Sequence, residues 1–195
     1  LRSLSSQTSK VPVDIKLNYA LLAYELSKEV DQDTTILKSV RNLSYAYVNS
    51  GDFNNYGSFS HKTLKLATKL KDTSVLAITN FHLGYYHDYE LRNDSAYYYY
   101  YNARKLFSAL NDTENEVSTL VNMTVIQRVE KDYVGCEKNA IEAIRLLQKL
   151  PETNYNLDSQ WSLNNTLALV SEQLERRNEA IEYHNKTIEI SKKLD

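Results

Sequence analysis

The chain is organised by a sequence repeat with a period of about 40 residues. One eight-residue pattern, a small residue followed by apolar residues three and seven positions later, occurs at residues 23–30, 63–70, 103–110, 143–150 and 187–194. The first four copies start 40 residues apart (63 − 23), and the last starts 44 residues after the fourth (187 − 143). Positions i, i+3 and i+7 share one face of an α-helix, so each copy predicts an amphipathic helix. Such a short unit buries its apolar face only against neighbouring units, which predicts a stacked helical array.

A second helix precedes the last four copies. Twenty residues before each of them, an apolar residue is followed by a small one, at Leu43-Ser44, Leu83-Gly84, Met123-Thr124 and Leu167-Ala168. The helices that carry these dipeptides are called first-type here, and those that carry the eight-residue pattern are called second-type. Short polar turns separate the two types. We therefore predict helix pairs at residues 34–50 with 53–71, 74–91 with 94–110, 114–130 with 133–149, and 156–174 with 178–194.

The predicted architecture is a single all-α domain over residues 1–195. The chain has Gly 4 and Pro 2, which leaves few punctuating residues for long loops. No linker rich in Pro, Gly or Ser divides it. We expect a tail or the end of another element at 1–12, a leading second-type helix at 14–30, and repeats at 33–72, 73–112, 113–152 and 153–195.

The second repeat carries the residues that identify a family resemblance. It has Leu83-Gly84 in its first helix, followed by Ala96, Tyr100 and Ala103 in its second. This pattern resembles the tetratricopeptide repeat, although the usual aromatic residue at the start is absent and the period is about six residues longer than 34. The resemblance covers residues 14–195 and implies a right-handed α-solenoid whose first helices line a concave binding face.

A second resemblance is one of composition. Richness in Asn, Tyr and Lys, together with Leu-Gly-Tyr-Tyr at residues 83–86, resembles the tetratricopeptide regions of Bacteroidetes-type membrane-bound histidine kinases and transcription regulators. It implies the sensory part of a bacterial two-component or related signal-transduction protein, outside the cytoplasmic membrane. The alternative is a stand-alone cytoplasmic scaffold or peptide-responsive regulator. Because the chain starts at Leu1, we expect a fragment whose signal peptide, transmembrane helix or kinase domain would lie outside it.

Several classes of function find no support in the sequence. The net charge is -2 without a basic block, so we expect no direct nucleic-acid binding. No apolar run approaches the roughly 20 residues that span a bilayer, so we expect no membrane insertion in this segment. Cys136 is the single cysteine, which excludes an internal disulfide and a cysteine-based zinc site. The four histidines form no metal-ligand motif and no phosphate-binding loop occurs, so we expect no metal, no cofactor, no catalytic residue and no enzymatic activity.

The resemblance assigns partner binding to the inward-facing residues of the first-type helices. One turn on either side of the apolar-small dipeptides, these residues are Lys38, Arg41, Tyr45, Ile78, Phe81, Tyr85, Tyr89, Val121, Val125, Arg128, Asn165, Leu169 and Glu172. Their middle is apolar and aromatic, with an arginine on each side. We expect a protein or peptide there, or a second copy of the chain, with an acidic group near an arginine. The lysines and asparagines that clamp chaperone carboxylates in some family members are missing, which argues against that ligand.

Two further features have competing interpretations. The run Tyr97–Tyr101 covers every side of a helix, so Tyr100 is expected in the core and at least one other ring at the surface. The exposed rings fit a binding surface and a contact between repeats equally well. Cys136 shares a small-residue column with Ala96, so we expect a buried residue rather than a reactive thiol.

Overall fold

The computed structural model describes residues 11–194, and all the secondary structure in that range is helical. The helices are α1 (Val13–Val30), α2 (Asp33–Asn49), α3 (Phe53–Leu70), α4 (Thr73–Tyr89), α5 (Asn93–Ala109), α6 (Thr113–Val129), α7 (Tyr133–Leu147), α8 (Asn154–Gln173) and α9 (Arg177–Leu194). Every predicted helix is present, with each end within two residues of its predicted position. The predicted tail at residues 1–10 and the final residue, Asp195, lie outside the described residues.

The turns between helices share one backbone device. A single residue adopts the left-handed conformation, with φ of 79° at Gly51, 56° at Lys71, 56° at Asn111 and 62° at Lys131. Only the first of these is a glycine, although the left-handed region normally favours glycine. The turns therefore need few glycines, which agrees with the four in the chain.

The residue after each of these turn residues is an aspartate that caps the next helix. The carboxylates of Asp52, Asp72, Asp112 and Asp132 each accept a hydrogen bond from a backbone N–H three residues later, at 3.0 to 3.2 Å. Such caps satisfy one of the unpaired N–H groups of the first helical turn. By contrast, the cap position of α5 is Arg92, which makes no side-chain cap hydrogen bond, and Asp94, which the sequence predicts as a cap, lies inside the first turn.

The described residues form two compact units, and the first ends at Glu90. It contains α1 to α4, in which α2 packs on both α1 and α3, and α3 packs on α4. Its main core consists of Val40, Leu43, Tyr47, Tyr56 and Phe59. The rings of Tyr47 and Phe59 lie 5.3 Å apart, so the α2–α3 contact is largely aromatic.

The second unit begins at Leu91 and contains α5 to α9. Here α6 packs on α5, α7 and α8, and α8 packs on α7 and α9. Its main core consists of Val117, Leu120, Ala140, Ala143, Leu147, Leu163 and Leu167. Tyr100 is fully buried, as the sequence predicts. The prediction that the whole chain forms one domain stays a prediction.

Candidate functional site

The thirteen predicted binding residues all retain some solvent exposure. Six are exposed: Lys38, Tyr45, Tyr85, Tyr89, Val125 and Glu172. Seven are half-buried: Arg41, Ile78, Phe81, Val121, Arg128, Asn165 and Leu169. On each first-type helix they follow spacings of three or four residues, so each group lies along one face. That the thirteen residues form one continuous binding surface stays a prediction.

In the first unit, a histidine joins two first-type helices. The Nε2 atom of His82 on α4 lies 2.8 Å from the hydroxyl of Tyr45 on α2. Its Nδ1 atom lies 2.8 Å from the hydroxyl of Tyr56, which also donates to the His82 carbonyl oxygen at 2.9 Å. Both ring nitrogens of His82 are therefore engaged by tyrosine hydroxyls, so the imidazole orients Tyr45, one of the predicted binding residues.

This histidine is held in its neutral form. Burial, with a smaller contribution from the nearby Arg41 guanidinium, lowers the pKa of His82 from 6.5 to about 4. Burial also raises the pKa of Tyr45, against the opposing effect of Arg41. At neutral pH the unit thus presents an uncharged Tyr45–His82–Tyr56 network, and its nearby positive charge comes from Arg41.

Arg41 has an unused capacity for hydrogen bonding. Its Nε atom is buried and has no hydrogen-bond partner among the described residues, and no carboxylate of residues 11–194 forms an ion pair with it. A small polar cavity of about 10 Å³ lies beside it, lined by Arg41, Ser44, Tyr45, Ser60, Thr63, Thr79 and His82. The Thr79 hydroxyl is also buried without a partner. The cavity has room for no more than one water molecule. Because no carboxylate of the described residues neutralises Arg41, its half-buried guanidinium favours an anion that approaches from solvent.

A group of aromatic rings extends from this network. Phe53, the first residue of α3, stacks on Tyr89 with ring centroids 3.7 Å apart and planes inclined by 9°. The ring of Tyr85 lies 6.1 Å from that of Phe53. Tyr45, Tyr85 and Tyr89 are all exposed, and we call these three residues with Phe53 the aromatic surface. Phe81 is half-buried, with its ring 6.1 Å from that of His82.

The sequence did not predict His82 or Phe53 as parts of this site. His82 was expected to be an ordinary surface or partly buried helix residue, and Phe53 starts a second-type helix. One signal was available for His82: the positions 40 residues before and after it are Asn42 and Asn122, so histidine is the exception in its column. For Phe53 there was no comparable signal.

In the second unit, α6 and α8 carry the remaining predicted residues and contact one another. Arg128 resembles Arg41, because its Nε atom is buried without a hydrogen-bond partner. Glu172 is already engaged, since its carboxylate lies 2.9 Å from Nε2 of His184 on α9. The apolar residues Val125 and Leu169 are exposed and half-buried, respectively. This unit thus offers an arginine but no exposed aromatic ring among its predicted residues.

The other candidate groups fall into place separately. Cys136 is buried, and that burial raises the pKa of its thiol to about 11, so the thiolate is strongly disfavoured. In the tyrosine run, Tyr98 and Tyr101 are exposed while Tyr100 is buried. Among residues 11–194, no group of three His, Cys, Asp or Glu residues is arranged to hold a metal ion. None of the described helices combines the length and the apolar character that a bilayer crossing requires.

The fold has counterparts among solved structures. No family model matches the chain, and no curated protein matches it either. BtubC (BKLC) from P. vanneervenii superposes with a TM-score of 0.73 over 95% of this chain and 76% of that one, at 18% identity. A putative kinesin light chain from Podospora anserina, made of nearly identical tetratricopeptide-like repeats, gives 0.73 over 93% and 88%, at 14% identity. The chain is an all-α solenoid of tetratricopeptide-like repeats.

Two further structural neighbours are longer proteins with regulatory names. A signal transduction ATPase with numerous domains from Pyrococcus horikoshii, which has a tetratricopeptide repeat sensor, gives a TM-score of 0.78 at 18% identity. The match covers 95% of this chain and 30% of that one. A Rap protein complexed with competence and sporulation factor gives 0.68 at 14% identity, over 93% and 60%. At these identities the likeness establishes the fold alone.

Proposed function

We propose that this chain is a non-enzymatic domain that binds a protein or a peptide through its first-type helices. One observation carries the proposal: the exposed ring of Tyr45 lies beside Arg41, which no carboxylate of residues 11–194 pairs with, and the exposed rings of α4 continue from the same aromatic network. Tyrosine rings give a large contact area with a polar tip, and they are enriched at protein interfaces. The Tyr45–His82–Tyr56 hydrogen bonds hold one of these rings in place before any partner binds.

The chemistry of the surface specifies the partner. Tyr85 and Tyr89 present apolar ring area to aliphatic or aromatic side chains, whereas Arg41 supplies a positive charge that no carboxylate of the described residues neutralises. An extended peptide or an amphipathic helix with two or more apolar side chains and one carboxylate meets both requirements. The carboxylate could be an acidic side chain or the carboxyl terminus of the peptide. We propose no direct contact with nucleic acid or membrane.

We propose that this chain is the sensory or regulatory part of a bacterial signal-transduction protein, either a histidine kinase or a transcription regulator. We propose that this part lies outside the cytoplasmic membrane. Two neighbours support it: a Rap protein crystallised with competence and sporulation factor, and a signal transduction ATPase with a repeat sensor. The alternative is a stand-alone cytoplasmic scaffold or peptide-responsive regulator. The codons flanking residues 1 and 195 distinguish the two, because an upstream signal peptide and a downstream transmembrane helix favour the sensor.

Selection from a random 12-residue peptide library tests the binding site. Selected peptides are synthesised with a fluorophore, and their Kd is measured by fluorescence anisotropy. We expect Phe81→Ala and Tyr85→Ala each to weaken binding at least about tenfold, or about 1.4 kcal/mol. Arg41→Gln should weaken the binding of peptides that carry a carboxylate. It should not weaken the binding of analogues in which an amide replaces that carboxylate. Tyr98→Ala is the matched control, because Tyr98 is an exposed ring on the second-type helix α5.

Circular dichroism and thermal melting of each variant separate loss of binding from loss of fold. Variants with native helix content and unchanged affinity for all selected peptides would move the binding site away from α2 and α4. If the peptides bound Arg41→Gln as tightly as the original chain, the proposed carboxylate contact would be wrong even though the aromatic contact stood.

A further inference from the structure

The leading helix α1 has an apolar stripe that faces solvent. Ile15, Tyr19, Leu22 and Leu26 are spaced by four, three and four residues, so they lie along one face. Their exposed fractions are 40%, 68%, 55% and 51%. An exposed stripe of this size on a soluble domain usually marks an interaction surface. We call these four residues the α1 stripe.

Comparison with the next repeat shows what kind of surface this is. Forty residues after Tyr19 and Ala23, the second-type helix α3 has Phe59 and Thr63, both buried. Phe59 belongs to the core that α3 forms with α2. Only Tyr19 of the stripe shares its column with a buried residue, because the columns of Ile15, Leu22 and Leu26 hold exposed Asn55, exposed Lys62 and half-buried Leu66. The α1 stripe thus places apolar side chains where the next repeat has largely accessible positions, and residues 11–194 of the same chain leave it uncovered.

Charged residues make α1 an acidic amphipathic helix. Acidic side chains at 14, 25, 29 and 31 outnumber the lysines at 16 and 28, for a net charge of about -2 between residues 13 and 31. One acid, Glu25, forms an ion pair with Lys28. A complementary surface must therefore offer an apolar groove with basic residues at its edges.

The second unit has such a groove. A cavity of about 440 Å³ opens between the second-type helices α7 and α9, above α8. Its apolar part is formed by Ile141, Ile144, Leu167 and Ile190. Ile141 is exposed, whereas Leu167 belongs to the core of the unit. The groove therefore leads from solvent to the core. It lies in the longest repeat, where six residues, 148–153, separate α7 from α8.

The edges of this groove are basic. Lys186 and Lys193 line it, and the adjoining depression along α7, which shares Ile141, is lined by Lys138, Arg145 and Lys149. The acidic residues of the two depressions are Glu142 and Glu189. One of them, Glu142, is already paired with Arg104 at 2.5 Å. Lys186 and Lys193 are likewise paired, with Glu182 at 2.6 Å and with Glu152 at 2.7 Å. The excess of positive charge beside the apolar floor, opposite in sign to α1, therefore comes from Lys138, Arg145 and Lys149 along α7.

We propose that α1 of one copy of the chain packs in the α7–α9 groove of a second copy. The lengths agree, because α1 and α9 each have 18 residues, or about 27 Å. The contact joins two different surfaces, so a dimer still has one free α1 stripe, on one copy, and one free groove, on the other, and further copies can add. One helix in one groove is a small interface, so the association is weak and depends on concentration. This contact is separate from the aromatic surface.

Complementation between two variants tests the proposal with the 195-residue chain. The stripe variant carries Leu22→Asp and Leu26→Asp, and the groove variant carries Ile141→Asp and Lys186→Glu. All four side chains are exposed or line the groove edge, so the core stays intact. Sedimentation velocity between about 10 and 500 μM should show the unmodified chain growing beyond a dimer, while each variant alone sediments as a monomer. An equimolar mixture of the two variants should form a 1:1 dimer and nothing larger.

The mixture gives a dimer because one intact stripe and one intact groove remain. Val134→Asp is the matched control, because it introduces a carboxylate at an exposed apolar residue of α7 that does not line the groove; it should assemble like the unmodified chain. A groove variant that still dimerises alone would show α1 pairing with itself and overturn the proposal. A monomeric unmodified chain at 500 μM, or a mixture that stays monomeric, would overturn it as well.

Discussion

His82 makes the stability of the first unit depend on pH. Its pKa is about 4 in the folded chain, because burial and the nearby Arg41 disfavour the imidazolium, whereas the unperturbed value is 6.5. As the pH falls below 6.5, the unfolded chain takes up this proton before the folded chain does. The stabilisation from the neutral imidazole is therefore complete above pH 6.5 and is lost as the pH falls toward 4.

The difference between these two pKa values fixes the size of the effect. A change from 6.5 to about 4 corresponds to a loss of about 3 kcal/mol in unfolding free energy once both states are protonated. At pH 5 the unfolded chain is almost fully protonated at this site and the folded chain is largely neutral, which gives about 2 kcal/mol. For a domain of ordinary stability, this is a large fraction of the total.

Urea unfolding at pH 7 and pH 5, followed by circular dichroism, measures this loss. His82→Gln removes the titrating group. Between pH 7 and pH 5, the unfolding free energy of the unmodified chain should therefore fall by about 2 kcal/mol more than that of the variant. The variant should also be less stable at pH 7, because it loses the hydrogen bonds to Tyr45 and Tyr56.

The subtraction isolates one histidine, because every other titrating group is common to both chains. If the loss of unfolding free energy between pH 7 and pH 5 differed by less than about 0.5 kcal/mol between the two chains, the predicted role of His82 would be wrong. An NMR titration gives an independent check: an imidazole resonance of His82 with a midpoint near 6.5 would show that the ring is hydrated, and that the tyrosine hydroxyls do not hold it neutral.

Two further predictions concern packing. A Cβ atom at Gly57 would lie 2.7 Å from Cε1 of Tyr86, so Gly57→Ala should destabilise the chain by about 1–3 kcal/mol in urea unfolding, while Ser58→Ala at the exposed neighbour should change little. Because Tyr86 packs against the core, the check is a double-mutant cycle: in a Tyr86→Ala background, Gly57→Ala should cost clearly less, and an unchanged midpoint for Gly57→Ala alone would contradict the clash. Cys136 is buried with a raised pKa, so DTNB at pH 8 should label it only in urea, and fast labelling of the folded chain would show that it is accessible.

The helices and their pairing could be predicted because both signals are local or strictly periodic. The small-apolar-apolar pattern lies within eight residues, and its recurrence fixes which helices are equivalent. Tyr100 could be placed in the core for the same reason, since its column holds packing residues in other repeats. The left-handed turn residues Lys71 and Lys131 could not be predicted, because lysine has no preference for a positive φ, in contrast to Asn111.

The binding network could not be predicted because its contacts join different columns of the repeat. Comparing repeats aligns position i with position i+40, and that alignment pairs His82 with Asn42 rather than with its true neighbour, Tyr45. In the structure, Tyr45 contacts His82 and Ser118 contacts Tyr155, and both pairs are 37 residues apart. Both join consecutive first-type helices. His82 lies about one helical turn before the residue equivalent to Tyr45, and Tyr155, which follows the longer 44-residue step, lies about two turns before the residue equivalent to Ser118. Aligning the repeats therefore identifies equivalent residues but not the residues that touch.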